Sequence, residues 1–216
     1  WGTYFNLFLG NDLRWLWDSG IAEQGVLRGY LQPSVFGVFF LLSMYQAMKG
    51  NYASAILSLA PAACVHGNYL FLSSLLTVVF LFLSKMNKTT MMAAGVIFLA
   101  VLPYSIYILR HFLLIEPELK VAIDVAVQSG FDENIHLNPI NWLHSKFYMQ
   151  LVVLSLGATL VHHTRLKLVF WSILLLGVGV SIIAYSTDNT TLISLNPWRL
   201  SIILIPVSSA VILAKI

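Results

Sequence analysis

Long apolar stretches separated by short polar breaks fill the chain from residue 34 onward. Seven such stretches stand out, at roughly 34–48, 52–65, 69–84, 91–110, 147–163, 168–186 and 197–214. Runs of this kind indicate helices that cross a bilayer, which takes about 20 apolar residues in an upright helix. The shorter ones would need a locally thinned or protein-lined region. The pattern predicts an all-α fold, a polytopic transmembrane helical bundle with about seven membrane segments.

One break interrupts an unusually long apolar run. Residues 52–84 contain no Asp, Glu, Lys or Arg, yet AACVHGNYLFL at residues 62–72 places His66, Gly67 and Asn68 near the middle of that run. Gly tolerates positive φ and Asn favours turns. We therefore expect two short helices joined by a turn, because one continuous helix would move every later loop to the other side.

Charge separates cleanly when successive loops alternate between two sides. One side receives only basic residues: Lys49, Lys85, Lys88, Arg165, Lys167 and Lys215. The other receives Arg14, Arg28, Arg110, Lys120, Lys146 and Arg199, together with all nine acids: Asp12, Asp18, Glu23, Glu116, Glu118, Asp124, Asp132, Glu133 and Asp188. Basic residues in short loops mark the cytoplasmic side, so the first side is assigned to the cytoplasm.

Composition agrees with lipid as the surrounding medium. The chain is 58% hydrophobic and 10% charged, whereas soluble domains carry about 25% charged residues. Its mean hydropathy is +0.82. A chain this apolar has too little polar surface to cover itself in water, so a membrane protein is predicted.

Two polar segments lie on the outer side. Residues 1–33 form an outer-face segment ahead of a transmembrane domain at 34–216, and the loop 111–146 lies within that domain. Each contains an amphipathic stretch, WGTYFNLFLGNDLRWLW and EPELKVAIDVAV, which predicts two helices lying in the interface. Because the sequence begins at Trp1 and not at Met, we expect the chain to be a fragment of a longer protein.

Polar residues gather just before two of the apolar segments. DENIHLNPINWLH, residues 132–144, offers His136, His144 and Asn138 as residues that bind a polar substrate. Trp142 would stack on that substrate or anchor the loop at the interface; the alternative is a solvated loop. NPWRL, residues 196–200, places Arg199 in the first turn of the last segment. An arginine there can hold a phosphate through paired hydrogen bonds, or simply extend towards lipid headgroups.

Other candidates are more isolated. His66 can bind a substrate or serve as a hydrogen-bonded group of the turn. Asp12 and Asp18 can act as a general base or bind a metal, and they fit an ordinary wet surface equally well. His162 and His163 are adjacent, so their side chains diverge on a helix and do not form a metal pair. No metal site is predicted.

Missing motifs exclude several enzyme classes. The sequence has no Walker A loop and no GxGxxG, GxSxG, HExxH or CxxC motif, which argues against an ATPase, a Rossmann oxidoreductase and a zinc peptidase. The sequence does not identify a cofactor, and no nucleic-acid partner is predicted. Few ionisable residues lie within the seven segments, and this disfavours an ion or proton transporter.

Four short motifs carry a family resemblance. YLQPSVFGVFFLLS, VHGNYLFLSSLLTVVFLF, IHLNPINW and NPWRLSIILIPVSSAV together resemble a family of uncharacterised bacterial multi-pass membrane proteins. The turn of that family usually reads His-Pro-Thr-Tyr. Here His66 and Tyr69 match, and Gly67 and Asn68 differ.

The two later motifs match in part. The family usually has paired histidines before an Asn-Pro; here His136, Asn138 and Pro139 match, while position 135 is Ile. Pro-Trp-Arg at 197–199 matches. The family in turn looks like the multi-pass glycosyltransferases that use polyprenyl-phosphate sugars, which have an outer active site and a catalytic acid in the first outer loop.

The resemblance implies an enzyme that takes a sugar from a lipid-linked phosphate donor at the outer face. Asp12 or Asp18 would be the base, and Arg199 would hold the donor phosphate. His66, His136, Asn138 and Trp142 would contact the substrate. The partners would be the bilayer and a polyprenyl-phosphate lipid, in a bacterial inner membrane. Two alternatives stay open: a non-catalytic scaffold or accessory subunit that binds a protein partner, and a transporter.

Overall fold

The computed structural model describes residues 36–65, 67–113, 145–187 and 197–215, and these ranges are helical with short connections. The elements are α1 (Gly37–Lys49), α2 (Tyr52–Leu57), α3 (Ala60–Val65), α4 (Gly67–Leu83), α5 (Lys88–Leu113), α6 (Ser145–Leu160), α7 (Thr164–Ser186), a 3-10 helix (Pro197–Leu200) and α8 (Ser201–Leu213). The described ranges contain no strand. The predicted all-α fold is therefore confirmed. The two predicted interfacial helices lie outside the described residues.

Two of these helices are long and apolar enough to cross a membrane, at Lys88–Tyr107 and Thr164–Ile183. The other apolar helices in the described ranges are shorter. All seven predicted segments are mainly helical where they are described, but their number as membrane crossings stays a prediction. The helices α5 and α6 also shorten the predicted outer loop 111–146, because α5 continues to Leu113 and α6 begins at Ser145.

The apolar run 52–84 folds back on itself. The rings of Tyr52 and Phe80 lie 6.4 Å apart, whereas one straight helix would separate these residues by roughly 42 Å. The chain therefore reverses direction between α3, which ends at Val65, and α4, which begins at Gly67. The predicted reversal near His66 is confirmed, but the run contains three helices instead of two, and Gly67 and Asn68 begin α4 instead of forming the turn. His66 itself lies outside the described residues.

A proline explains why the first half of this hairpin is two helices and not one. Pro61 has no N–H, and its ring would clash with the carbonyl of Leu57 in a continuous helix. The chain accordingly turns at Ser58 and Leu59, where the Leu59 N–H bonds to the Ile56 carbonyl at 2.9 Å. By contrast, Pro103 and Pro206 lie inside continuous helices.

Tight caps end α1 and α4. The Gly50 N–H bonds to the Ala47 carbonyl and the next N–H to the Gln46 carbonyl, with Gly50 at φ 83°. After α4 the same pattern recurs with Lys85 at φ 52°. Left-handed φ is favourable for glycine and costly for lysine. The second turn therefore carries strain that the first avoids.

Several of these turns meet at one end of the bundle. Arg165 Nη1 donates to the Met48 carbonyl at 3.0 Å, and Lys215 Nζ contacts His162 Nε2. We call this the basic end; it comprises the turns at residues 49–52, 84–88, 160–167 and 213–215. These turns contain all six of the Lys and Arg residues that the sequence predicts on the side without acids.

The remaining helix ends meet at the opposite end. Phe40 of α1 lies 5.3 Å from Tyr69 of α4. Phe147 of α6 lies 6.2 Å from Trp198 in the 3-10 helix, and Trp198 Nε1 donates to Ser181 Oγ of α7 at 2.9 Å. The bundle core between the two ends is made of buried aliphatic and aromatic side chains.

Candidate functional site

Arg199 is the candidate residue that the structure places within an element. It lies in the 3-10 helix Pro197–Leu200 at the opposite end. The other candidates, Asp12, Asp18, His66, His136, Asn138 and Trp142, lie outside the described residues. Their roles therefore stay predictions.

Trp198 fixes the 3-10 helix that carries Arg199. Its side chain is 1% exposed, its ring covers Gly177 of α7, and its indole N–H reaches Ser181 one helical turn further on. Phe147 meets the ring edge-on at 89°. A tryptophan with a partnered N–H and an aromatic neighbour is a strong structural anchor. The position of Arg199 therefore depends on α6 and α7.

The sequence alone does not reveal this anchor. Five of the six tryptophans are on the predicted outer side, and Trp198 counts there as an interfacial residue. The available signal is Gly177 followed four residues later by Ser181 in an otherwise bulky helix. That spacing leaves a shallow groove with one hydrogen-bond acceptor, which suits an indole ring.

Chain connectivity joins the other candidates to the same end. The segments 1–35, 66, 114–144 and 188–196 are attached to the helix ends at residues 36, 65, 67, 113, 145, 187 and 197, all at the opposite end of the bundle. These four segments contain all nine acids of the chain and all six undescribed candidates. The described ranges contain no Asp or Glu, and no group of three or more potential metal ligands occurs within them.

An apolar cleft of about 230 Å³ lies between α3, α4 and α5. Its lining includes Ala63 and Leu70 towards the opposite end, Ala94 and Phe98 on α5, and Thr77 towards the basic end. An engineered apolar cavity of about 150 Å³ holds benzene, so this cleft has room for a larger apolar group. No charged side chain lines it.

Some hydroxyl groups in and near the cleft have a hydrogen-bond partner, and others have none among the described residues. Ser74 Oγ donates to the Leu70 carbonyl at 2.8 Å, and Ser105 Oγ donates to the Val101 carbonyl at 3.0 Å. Such bonds to the preceding turn are how a helix satisfies hydroxyls without water. The oxygens of Ser73 and Thr77 are buried without a hydrogen-bond partner among the described residues.

Comparison with models of known protein families, with curated proteins and with solved structures gives no match.

Proposed function

We propose that this chain is a multi-pass membrane protein whose basic end faces the cytoplasm. The exposed surface of the helices supports this proposal. Phe82, Leu99 and Leu175 are 77%, 66% and 64% exposed. In the most apolar 18-residue stretches of Lys88–Tyr107 and Thr164–Ile183 only 22% and 28% of the residues are buried, whereas a core helix of a soluble protein would be mostly buried. Lipid is the medium that accepts such a surface.

The charge distribution supports the orientation. The turns of the basic end contain six Lys and Arg residues and no acid, as short cytoplasmic loops do. All seven segments would cross or enter the bilayer. The 17 residues of α4 make a helix of roughly 25 Å, a little shorter than the hydrocarbon core of about 30 Å, so the bilayer would thin slightly around it.

We further propose that the opposite end transfers a sugar from a lipid-linked phosphate donor. The observation that carries this proposal is the shared attachment point: every segment with a candidate catalytic or binding residue joins the bundle at the end where Trp198 holds Arg199. Arg199 would bind the donor phosphate, and Asp12 or Asp18 would remove a proton from the acceptor hydroxyl. His66, His136, Asn138 and Trp142 would contact the substrate.

The apolar cleft fits the lipid part of such a donor. It extends from Ala63, close to the opposite end, to Thr77 deeper in the bundle. An isoprenoid chain is uncharged and apolar, and the cleft lining is uncharged and mostly apolar, with the hydroxyl groups of Ser73, Ser74 and Thr77 as the exceptions. A phosphate at the membrane surface and a chain running down between α3, α4 and α5 would then belong to one molecule. The site would lie on the outer face of a bacterial inner membrane.

The proposal is tested by turnover of a polyprenyl-phosphate sugar in membranes containing the chain. Arg199→Ala and His136→Ala should each abolish most turnover, and Arg199→Lys should restore little of it because lysine cannot form the paired bonds of a guanidinium. Lys167→Gln at the basic end is the matched control and should leave turnover unchanged. Full turnover in both alanine variants would refute the assignment.

Two other functions make different predictions. An accessory subunit would co-purify with a stable protein partner and without a bound polyprenyl lipid. A transporter would catalyse uptake into reconstituted vesicles. The described ranges disfavour the second, because no Asp or Glu lies within them and the cleft lining carries no charge.

A further inference from the structure

The basic end contains an arginine, Arg165, whose guanidinium is held by its contacts while most of its N–H donors have no acceptor among the described residues. The Arg165 guanidinium lies 5.5 Å from the centre of the Tyr52 ring and donates from Nη1 to the Met48 carbonyl. It also packs against the Gly50 turn, where a Cβ would come within 2.9 Å of Nη1. A guanidinium has five N–H donors, and the described residues supply one acceptor. The other donors remain available in a fixed orientation.

The neighbourhood of Arg165 is uniformly basic. His162 lies three residues earlier and contacts Lys215 at the end of α8. Lys49 precedes the Gly50 turn, on which Arg165 packs. The described ranges contain no carboxylate that could neutralise these groups. These basic groups form a cluster at one end of the bundle without a counter-charge among the described residues, and the remaining N–H donors of Arg165 are free to bind an external anion.

We propose that Arg165 binds the phosphate of an anionic phospholipid headgroup in the leaflet at the basic end, and that Lys215 at the same end adds positive charge to the site. This inference rests on the membrane part of the proposed function and not on its sugar-transfer part. Arg165 is suited to phosphate because its planar fork can form two parallel hydrogen bonds. A headgroup is the favoured source of that phosphate because the cluster lies at helix ends, where the lipid surface would be.

A specific binding site and a non-specific electrostatic attraction predict opposite rankings of acidic-lipid retention for two variants. Arg165→Lys keeps the charge and loses the fork and the stacking on Tyr52, so a site predicts about tenfold weaker retention of the acidic lipid. Lys167→Gln removes a neighbouring charge and should weaken retention by at most about fivefold. Non-specific attraction predicts no loss for the first variant and a loss for the second.

The experiment places the full chain in nanodiscs of phosphatidylcholine, with or without phosphatidylglycerol, and counts retained lipids by native mass spectrometry. Wild type should retain phosphatidylglycerol selectively, Arg165→Lys should not, and Lys215→Gln should retain less than wild type. Thermal melting in phosphatidylcholine alone shows whether each variant is folded. The Lys215→Gln variant still tests the site if Arg165→Lys is not folded.

Three results would overturn the proposal. The first is equal retention by wild type and Arg165→Lys. The second is a melting temperature in phosphatidylcholine that rises as much on addition of inorganic phosphate as it does on addition of phosphatidylglycerol, which would make the ligand a soluble anion. The third is a chain that enters nanodiscs but shows no preference for phosphatidylglycerol. A chain that does not enter nanodiscs would refute the membrane proposal as well.

Discussion

Gly177 and Gly179 offer a matched pair of substitutions in α7. A Cβ added at Gly177 would lie 2.8 Å from two carbons of the Trp198 ring, about 0.6 Å short of the 3.4 Å at which ordinary van der Waals contact begins. A Cβ added at Gly179 would meet nothing within 4 Å. Both changes replace glycine with alanine in the same helix, so their backbone effects are similar and their packing effects differ.

We expect Gly177→Ala to destabilise the protein by about 1–3 kcal/mol, the usual cost of adding a carbon to a packed core. The buried indole must retreat, and its 2.9 Å bond to Ser181 lengthens with it. For a chain of this size each kcal/mol shifts the melting temperature by about 2–4 °C. Gly177→Ala should therefore lower it by roughly 2–12 °C, whereas Gly179→Ala should leave it unchanged or raise it slightly.

The assay is thermal unfolding of the purified variants in one detergent, followed by fluorescence-detected size exclusion. Tryptophan emission gives an independent readout, because a displaced Trp198 changes its environment in one variant only. If the two variants melt within about 1 °C of each other, Trp198 is not packed on Gly177. The anchor for Arg199 would then have to be abandoned.

Three further substitutions test other contacts. Gly157→Ala should destabilise by about 1–3 kcal/mol or more, because its Cβ would lie 2.6 Å from the Ser208 Cα and would push α6 and α8 apart; unchanged thermal melting would contradict this close packing. Lys85→Gly should raise the melting temperature by relieving about 1 kcal/mol of left-handed strain at φ 52°, and a fall would show that the turn is not strained. Ala94→Phe should fill the cleft and reduce polyprenyl-phosphate binding in native mass spectrometry. The control Gly95→Ala adds a methyl group that points into open space and should leave binding unchanged. Equal binding by both variants would show that the lipid does not occupy the cleft.

The helices and their direction could be predicted from the sequence because each is a long apolar stretch bounded by short polar breaks. The turn near His66 could also be predicted, since an uncharged run of 33 residues at 52–84 contains one group of turn-forming residues. The break at Ser58 was harder to predict, because a proline in an apolar segment can begin a helix, break it or remain inside it with a kink. Pro61 ends a helix here, whereas Pro103 and Pro206 remain inside one.

Side-chain anchors could not be predicted in the same way. Trp198 looks like an interfacial residue by composition, and its burial depends on the packing of the 3-10 helix against Gly177 and Ser181 of α7. Arg165 counts in the sequence only as one cytoplasmic charge. Its stacking on Tyr52 joins residues more than a hundred positions apart, and local pattern carries no information about that contact. The candidate site residues other than Arg199 lie outside the described ranges, so their arrangement remains a prediction.

Single-cysteine labelling in sealed vesicles of known orientation tests the sidedness of the bundle most directly. Cys64 is the one native cysteine and is exposed, so Cys64→Ala provides the background. Lys88→Cys and Lys215→Cys should react with a membrane-impermeant maleimide only from the cytoplasmic side, and Thr187→Cys only from the other side. Reaction of Lys88→Cys and Thr187→Cys from the same side would contradict the separation of a basic cytoplasmic end from the end that carries the candidate site.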